Sequence, residues 1–494
     1  MTTSPVEHLD VLIIGAGISG IGAAHYLHRD HPDRTYAVLE GRAAGGGTWD
    51  LFRYPGVRSD SDLHTFGYEF KPWRDDHAIA GADKILDYLR ETAEEHGIDR
   101  HVRFHHHVRG VTWSGPDARW TVEVDRTDTG EPVTLTASWL FFATGYYRYD
   151  EGFSPTFPGR EHFTGPVVHP QHWPEDLDCT GKRVVVIGSG ATAVTLVPAL
   201  AATAAHVTML QRTPSYILPV PSKDALGNRL RTLLGEERAY RLVRRKNIAQ
   251  QRAIWRLCRR FPRQARKLIR WINTKQLPAG YPVDEHFNPP YDPWDQRLCL
   301  VPDGDLFTAI REGTASVVTD RITGFTASEV LLESGRTLEA DVVVTATGLN
   351  VRPFGGVGVT VDGEPVRLAD TVAYKGMMLS GVPNLAFAVG YTTSSWTLKV
   401  GLLCEQFCRL LAHMDEQGHD VCVPTVPDAA MPTRPFLDFA AGYIRRAIGE
   451  LPRQGDRAPW LTSMDYHSDV KLLRRAPVRD DENLRFTTHV PAGT

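Results

Sequence analysis

The chain has 494 residues, is 42% hydrophobic and 23% charged, and carries 43 Gly and 33 Pro, a composition that excludes disorder, collagen and coiled coil and predicts two to four domains with large cores. A net charge of -4 argues against a protein that binds nucleic acid along its whole length. Its six cysteines have neither a disulfide framework's density nor metal-ligand spacing, which predicts a reducing, cytoplasmic setting and no metal centre.

No apolar run approaches the roughly 18 to 20 residues that span a bilayer. The first one, Val11 to Ile14, opens straight into a glycine loop, so no signal peptide is expected. That loop, Gly15-Ala16-Gly17-Ile18-Ser19-Gly20, is followed by an alanine-rich helical pattern. Strand, glycine turn and helix in this order make the dinucleotide fingerprint. Gly15 permits the turn, Gly17 lets the backbone approach a pyrophosphate, Gly20 lets helix and strand close up, and the helix N-terminus faces the phosphates. The next strand, Tyr36 to Leu39, ends in Glu40, about 25 residues beyond Gly15, where an acid accepts hydrogen bonds from a ribose diol.

Residues His105, His106 and His107 resemble a metal cluster only in print. Neighbours on a strand alternate faces, so the stretch Val102 to Val108 is expected to be a strand of the first domain. The pattern of the first fingerprint recurs at Arg183 to Ile187, followed by Gly188-Ser189-Gly190-Ala191-Thr192-Ala193. Ala193 takes the place of the third glycine, which the fingerprint permits. The strand His206 to Leu210 then runs into Gln211-Arg212-Thr213 with no acid where Glu40 stood. An arginine there suits a 2'-phosphate, although a surface Arg212 can equally be a solvated turn residue. The first turn therefore reads as an FAD site and the second as an NADPH site.

From Lys223 to Lys275 seventeen Lys or Arg face only Asp224, Glu236 and Glu237, with apolar residues at near-helical spacing. Two or three basic amphipathic helices are expected, an insertion of about residues 221–280. It suits either an anionic membrane surface, with Trp255 and Trp271 at the interface, or a soluble lid or oligomer surface packed on the NADPH domain. Two apolar strands end alike at Thr-Gly turns, Leu140 to Gly145 and Asp341 to Gly348. The chain is thus expected to leave the first domain, build the second and return. This predicts an α/β protein with two Rossmann-like dinucleotide-binding domains, FAD-binding over 1–150 and 345–494 and NADPH-binding over 151–344. Cys404 and Cys408, four apart on a helical pattern, read as core, and the loop Gly45 to Trp49 lacks the cysteines of a dithiol flavoenzyme.

The segment Phe163-Thr164-Gly165-Pro166-Val167-Val168-His169-Pro170-Gln171-His172-Trp173-Pro174 matches the FxGxxxHxxxWP pattern of type I Baeyer-Villiger monooxygenases. The stretches Gly45 to Trp49 and Arg53 to Asp60 resemble the same family's flavin-contacting loop. Over essentially the whole chain the sequence is similar to class B flavoprotein monooxygenases, with its strongest likeness, in Thr48 to Gly56 and Tyr374 to Ser380, to the mycobacterial thioamide-prodrug-activating members.

The resemblance implies an enzyme in which NADPH reduces FAD and the reduced flavin combines with dioxygen as a C4a-peroxyflavin. A ketone would become an ester or lactone. The alternatives are oxygenation of sulfides, thioamides or amines, and a plain NADPH oxidase or flavin reductase. It also implies that Arg297 stabilises the charge on the attacked oxygen, held by Asp60, and that Thr48, Trp49 and Asp60 contact the flavin and Val108 lies near the adenine. Without the resemblance, Arg297 reads as an ordinary ion pair with Asp295 or another acid. Gln296 stands where many members carry Lys, which puts more of the NADPH preference on Arg212. Phe163, Gly165, His169 and Trp173 either act directly or fix interdomain geometry. Met377 to Leu379 and Tyr391 to Leu398 read either as cavity lining or as core. The implied partners are dioxygen and a small apolar ketone or sulfur compound. The sequence sets no oligomeric state.

Overall fold

A computed structural model of the chain describes residues 6–296, 298–437 and 441–489. Val11 to Ile14 are all buried, and the strand Glu7–Ile14 pairs in parallel with Tyr36–Leu39 on one side and Pro132–Phe142 on the other. A continuous apolar run is what a strand covered on both faces requires. The sheet extends through Arg119–Arg126 and His106–Ser114 to Gly358–Val361, and Leu385–Phe387 adds in parallel to Pro132–Phe142. Strands from both ends of the chain therefore share one sheet.

The second sheet is wholly parallel and runs Ala315–Thr319, His206–Gln211, Arg183–Ile187, Val342–Thr345, Val167–Val168. Val184, Val185 and Val186 at its centre are at most 1% exposed. The fold is thus two Rossmann-like units, the second inserted in the first. Only two connections cross between the sheets, and they pair with each other: Tyr147–Gly152 runs antiparallel to Leu349–Val351.

The helix Ile18–Asp30 buries every residue from Ser19 to Leu27. It shares a core with Trp396–Gln417, whose Phe407 ring lies 5.4 Å from Trp139 and 5.2 Å from Phe141. Cys404 and Cys408 are buried in that core. The expected strand over Val102 to Val108 is instead Val102–Arg103 and His106–Ser114, broken where His105 takes a φ of +59°. A turn that needs a positive φ cannot be continued as pleated backbone.

The insertion forms three helices, Ala225–Leu234, Glu236–Arg260 and Pro262–Gln276. The expectation that it packs on the second unit holds for the last helix, whose Ile269 joins Tyr216 and Leu298 in a small core. The long middle helix packs on the first unit instead. Buried Arg244 donates to the carbonyls of His64, Thr65 and Gly67 at 2.9, 3.1 and 2.8 Å. A cation at the C-terminal carbonyls of the helix Leu63–Phe66 satisfies groups the helix cannot pair itself. Among the described residues no helix is long and apolar enough to cross a membrane.

Candidate functional site

At the first turn Gly15 has φ +106°, and a Cβ on Gly20 would sit 1.8 Å from the Gly15 carbonyl oxygen, so both are fixed by the chain's own backbone. Gly17 differs, because a Cβ there would meet only Gly47 Cα at an ordinary 3.5 Å. The fold leaves room at Gly17, and that room faces a cavity. Glu40 is buried beside it, its carboxylate accepting from the backbone N–H groups of Ala16 and Arg42, both at 3.0 Å. Burial pushes its carboxyl above the usual range, against those two donors. Ser19 also lines the cavity, and its hydroxyl accepts the Trp396 indole N–H at 2.8 Å while keeping its own O–H to donate.

The cavity holds about 610 Å³ and is lined by Gly15, Gly17, Glu40 and Val108 and by Thr48, Trp49, Phe52, Tyr54 and Asp60. Ala191, Thr192 and Thr195 of the second fingerprint close the far wall. The first turn and the start of the second fingerprint's helix therefore border one space, of the size that encloses cofactors, while Gly188, Ser189 and Gly190 do not line it. Thr48 Oγ1 lies 3.3 Å from the Tyr149 hydroxyl, and Trp49 packs edge-on against Phe66 at 5.5 Å. Asp50, buried beneath them, pairs with Arg42 at 2.6 Å and Arg53 at 2.7 Å and so fixes the loop. Arg297, the expected partner of Asp60, lies outside the described residues. Asp295, its alternative partner in the sequence reading, pairs with Arg259 at 2.8 Å.

The loop around Tyr54 ties the two turns together. Tyr54 is buried and lines the cavity together with Thr192; burial pushes the phenol up to about 12. Gly56, at φ +75°, lies so close to the second unit's helix Ala191–Ala201 that a Cβ would stand 2.7 Å from Ala199 Cβ.

At the second turn Gly188 has φ +140°, and its Cβ would sit 2.2 Å from the Ala346 carbonyl oxygen. Gly190 has extended backbone at the helix start, and a Cβ there would meet nothing within 4 Å. Ala193 is fully buried, packed where the third glycine of the fingerprint would be. Ser189 spends its hydroxyl within the chain, on the Thr213 carbonyl at 3.0 Å and the Ser215 hydroxyl at 2.9 Å. This places the Arg212-Thr213 turn directly beside Gly188-Ser189-Gly190. Arg212 is exposed there and makes no ion pair or side-chain hydrogen bond with another described residue.

Phe163, Gly165, His169 and Trp173 do not line the cavity. The geometry gives them the linker instead. His169 Nδ1 accepts from the Gln171 N–H at 3.2 Å, so Nε2 carries the proton and donates to the Gly348 carbonyl at 3.0 Å. Gly152 lies under the ring, where a Cβ would stand 2.1 Å from it. The histidine thus clamps both crossing strands at once, and burial lowers its pKa, keeping it neutral. Gly165 closes on the Asp341 carbonyl, Phe163 meets Phe325 edge-on at 6.0 Å, and half-buried Trp173 packs on the second unit's core.

Of the residues read as either cavity or core, Met377, Met378 and Leu379 are core, at most 1% exposed, whereas Tyr391, Ser394 and Trp396 line the cavity. Tyr54 lies in the Arg53 to Asp60 stretch that the resemblance marked, whereas Tyr149 and Thr195 were not read from sequence. No local pattern marks them, because their role comes from a contact between distant segments.

These features correspond to known proteins. The profile of the family "Flavin-binding monooxygenase-like" matches residues 66–356, and that of "NAD(P)-binding Rossmann-like domain" matches residues 13–76. "FAD-containing monooxygenase EthA" of Mycobacterium tuberculosis is 54% identical over 481 residues, 97% of this chain and 98% of that protein.

The chain belongs to the flavin-binding monooxygenase-like family.

A second relative of this flavin-binding monooxygenase, "Putative FAD-containing monooxygenase MymA" of the same species, is 49% identical over 486 residues, covering 97% of this chain and 98% of that one. The solved structure "Oxidized steroid monooxygenase bound to NADP" superposes with a TM-score of 0.76 at 21% identity, over 97% of this chain and 100% of that chain. At that identity it shows the two-unit fold. The residues present also fit a flavin dinucleotide on this structure's own terms: Gly17 leaves space where a pyrophosphate would approach, Glu40 waits at the ribose position, and the helix Ile18–Asp30 starts between them.

Proposed function

We propose that this flavin-binding monooxygenase holds FAD along Gly15, Gly17, Gly20 and Glu40 and between Val108 and Thr48-Trp49, and NADPH at Gly188 to Ala193 with the 2'-phosphate on Arg212. It inserts one oxygen atom next to a ketone carbonyl, giving an ester or lactone. In balance, ketone, dioxygen, NADPH and a proton become ester, NADP⁺ and water. When bound, FAD supplies the capacity to accept hydride from NADPH and to activate dioxygen.

The chain's own residues supply the rest. The carrying observation is that one cavity is lined by Gly15 and Gly17 of the first turn, by Tyr54, and by Ala191 and Thr192 of the second fingerprint. Nicotinamide and flavin sites must adjoin for hydride to pass, and this shared wall supports that reading. Trp49, Phe52, Tyr54 and Trp396 line the space and keep water from the reacting groups. Addition to a ketone carbonyl places negative charge on its oxygen, and Arg297, with Asp60 to orient it, is the cation assigned to hold that charge. Chain division follows: 1–150 and 345–494 serve FAD, 151–344 serve NADPH. The burial of Cys179, Cys258, Cys404, Cys408 and Cys422 as free thiols supports a cytoplasmic setting.

The competing chemistry is oxygen transfer to sulfides, thioamides or amines, where the heteroatom donates electrons and no oxyanion forms on the substrate. Purified holoenzyme given NADPH, air and a ketone or a sulfide of similar size is expected to have a kcat/KM for ester formation at least about tenfold above that for sulfoxide. The reverse order moves the assignment to heteroatom oxygenation. NADPH consumption unaffected by either substrate moves it to an oxidase.

A further inference from the structure

The insertion carries a surface that the proposed chemistry does not use. Of the twelve large hydrophobic residues exposed among the described residues, nine lie between Leu226 and Trp271. On the helix Pro262–Gln276 the exposed residues Gln264, Lys267, Leu268, Trp271 and Lys275 recur every three or four positions and make one face, while Ile269 and Asn273 are buried on the other. Leu268 is 54% exposed and Trp271 57%; at the bend where the preceding helix joins, Leu257 is 57% and Phe261 46% exposed. Trp255 is half-buried, so Trp271 alone of the two insertion tryptophans is presented outward.

The unpaired charged residues named beside this face are all cations. Exposed Arg256, Arg263, Lys267 and Lys275 make no ion pair or side-chain hydrogen bond with another described residue, in contrast to Arg259 and Arg270, which pair with Asp295 and Asp284. A second copy of the same face would bring like charges together. A nucleic-acid backbone would satisfy the cations but leave leucine and tryptophan side chains against phosphate. An anionic lipid surface satisfies both, since headgroups take the cations and the interfacial layer takes Leu257, Phe261, Leu268 and Trp271.

We propose that the face formed by Leu257, Phe261, Leu268 and Trp271, with Arg256, Arg263, Lys267 and Lys275 around it, docks the enzyme peripherally on an anionic membrane surface. The face is built on the insertion and joins the first unit through Arg244 and through Asn247 and Gln251, which bond Asp62 at 2.8 and 2.6 Å. Docking therefore stands or falls independently of which substrate is oxygenated.

The test is flotation of the full-length holoenzyme with phosphatidylglycerol-containing vesicles and with pure phosphatidylcholine vesicles at low ionic strength. Wild type is expected to float with the first, and added salt to release it. Each cation contributes about fivefold to partition, so K267E/K275E is expected to weaken it at least about 25-fold. L268E/W271E is expected to abolish flotation with FAD content and thermal midpoint kept. Three results overturn the proposal: wild type that ignores anionic vesicles or floats equally with neutral ones, light scattering in which L268E/W271E splits an oligomer, or vesicle binding that persists in both variants. A variant that no longer unfolds like wild type is replaced by W271S, which keeps the charge and removes only the ring. Ketone turnover, measured without vesicles, reports on the catalytic reading alone.

Discussion

Gly190→Leu is expected to raise the KM for NADPH at least about 100-fold while leaving the protein folded and its FAD in place. The contrast between two glycines of one turn makes the test clean. Gly188 cannot accept a side chain, because its φ is +140° and its Cβ would stand 2.2 Å from the Ala346 carbonyl oxygen. Any substitution there damages the fold as well as the site. Gly190 has φ −81° and ψ −175°, a conformation every residue adopts, and its Cβ would meet nothing within 4 Å. A leucine there stands in open space over the start of the helix Ala191–Ala201, where a pyrophosphate would lie against the helix N-terminus. A surface substitution of this kind moves stability by no more than about 0.5 kcal/mol, whereas a hundredfold in KM corresponds to about 2.7 kcal/mol of lost binding. Anaerobic flavin reduction at graded NADPH concentrations, with dithionite as control, separates the two. An unchanged KM removes NADPH from this turn.

Arg297→Ala is expected to retain NADPH-driven flavin reduction and to lose ketone oxygenation by about 10²- to 10³-fold, the size of effect seen when one donor to a developing oxyanion is removed. Sulfide oxygenation is expected to fall by less than about tenfold, because a sulfur lone pair attacks outward and no negative oxygen forms on the substrate. Arg297→Lys is expected to recover only part of the ketone rate, since an ammonium supplies charge without the fixed fork. Product analysis by gas chromatography after single and multiple turnovers checks this. Equal losses on ketone and sulfide, with slowed flavin reduction, would assign Arg297 to assembly of the site instead. Asp60, on the cavity wall, is the positioning residue in the same account.

What the sequence made legible was whatever local sterics dictate. Gly15, Gly20 and Gly188 are glycine because their own backbone neighbours leave no room, and Glu40 ends a four-residue strand whose length fixes where its carboxylate falls. The turns that lead into the two linker strands were legible as Thr-Gly pairs for a different local reason, the positive φ of Gly145 at +67° and of Gly348 at +112°. Contacts between distant segments were not legible. Tyr54 and Thr192 are far apart in the chain, and they line one cavity because Gly56 allows the first unit's loop to lie against the second unit's helix. The insertion's amphipathic pattern announced helices but not their partner; Arg244 chose it, by reaching backbone carbonyls some 180 residues away that have no sequence signature. His169 illustrates the intermediate case. Its motif marked it, but only the pairing of both ring nitrogens with backbone gives it the role of a clamp on the linker.

One atom of dioxygen is expected to enter a ketone at the cavity lined by Gly17 and Thr192. Holoenzyme supplied with NADPH and a simple cyclic ketone under ¹⁸O₂ tests it by mass spectrometry of the product. The account predicts a lactone whose ring oxygen carries the label, formed in equal amount to the NADPH consumed. Unchanged ketone, with hydrogen peroxide accumulating in step with NADPH, would contradict it.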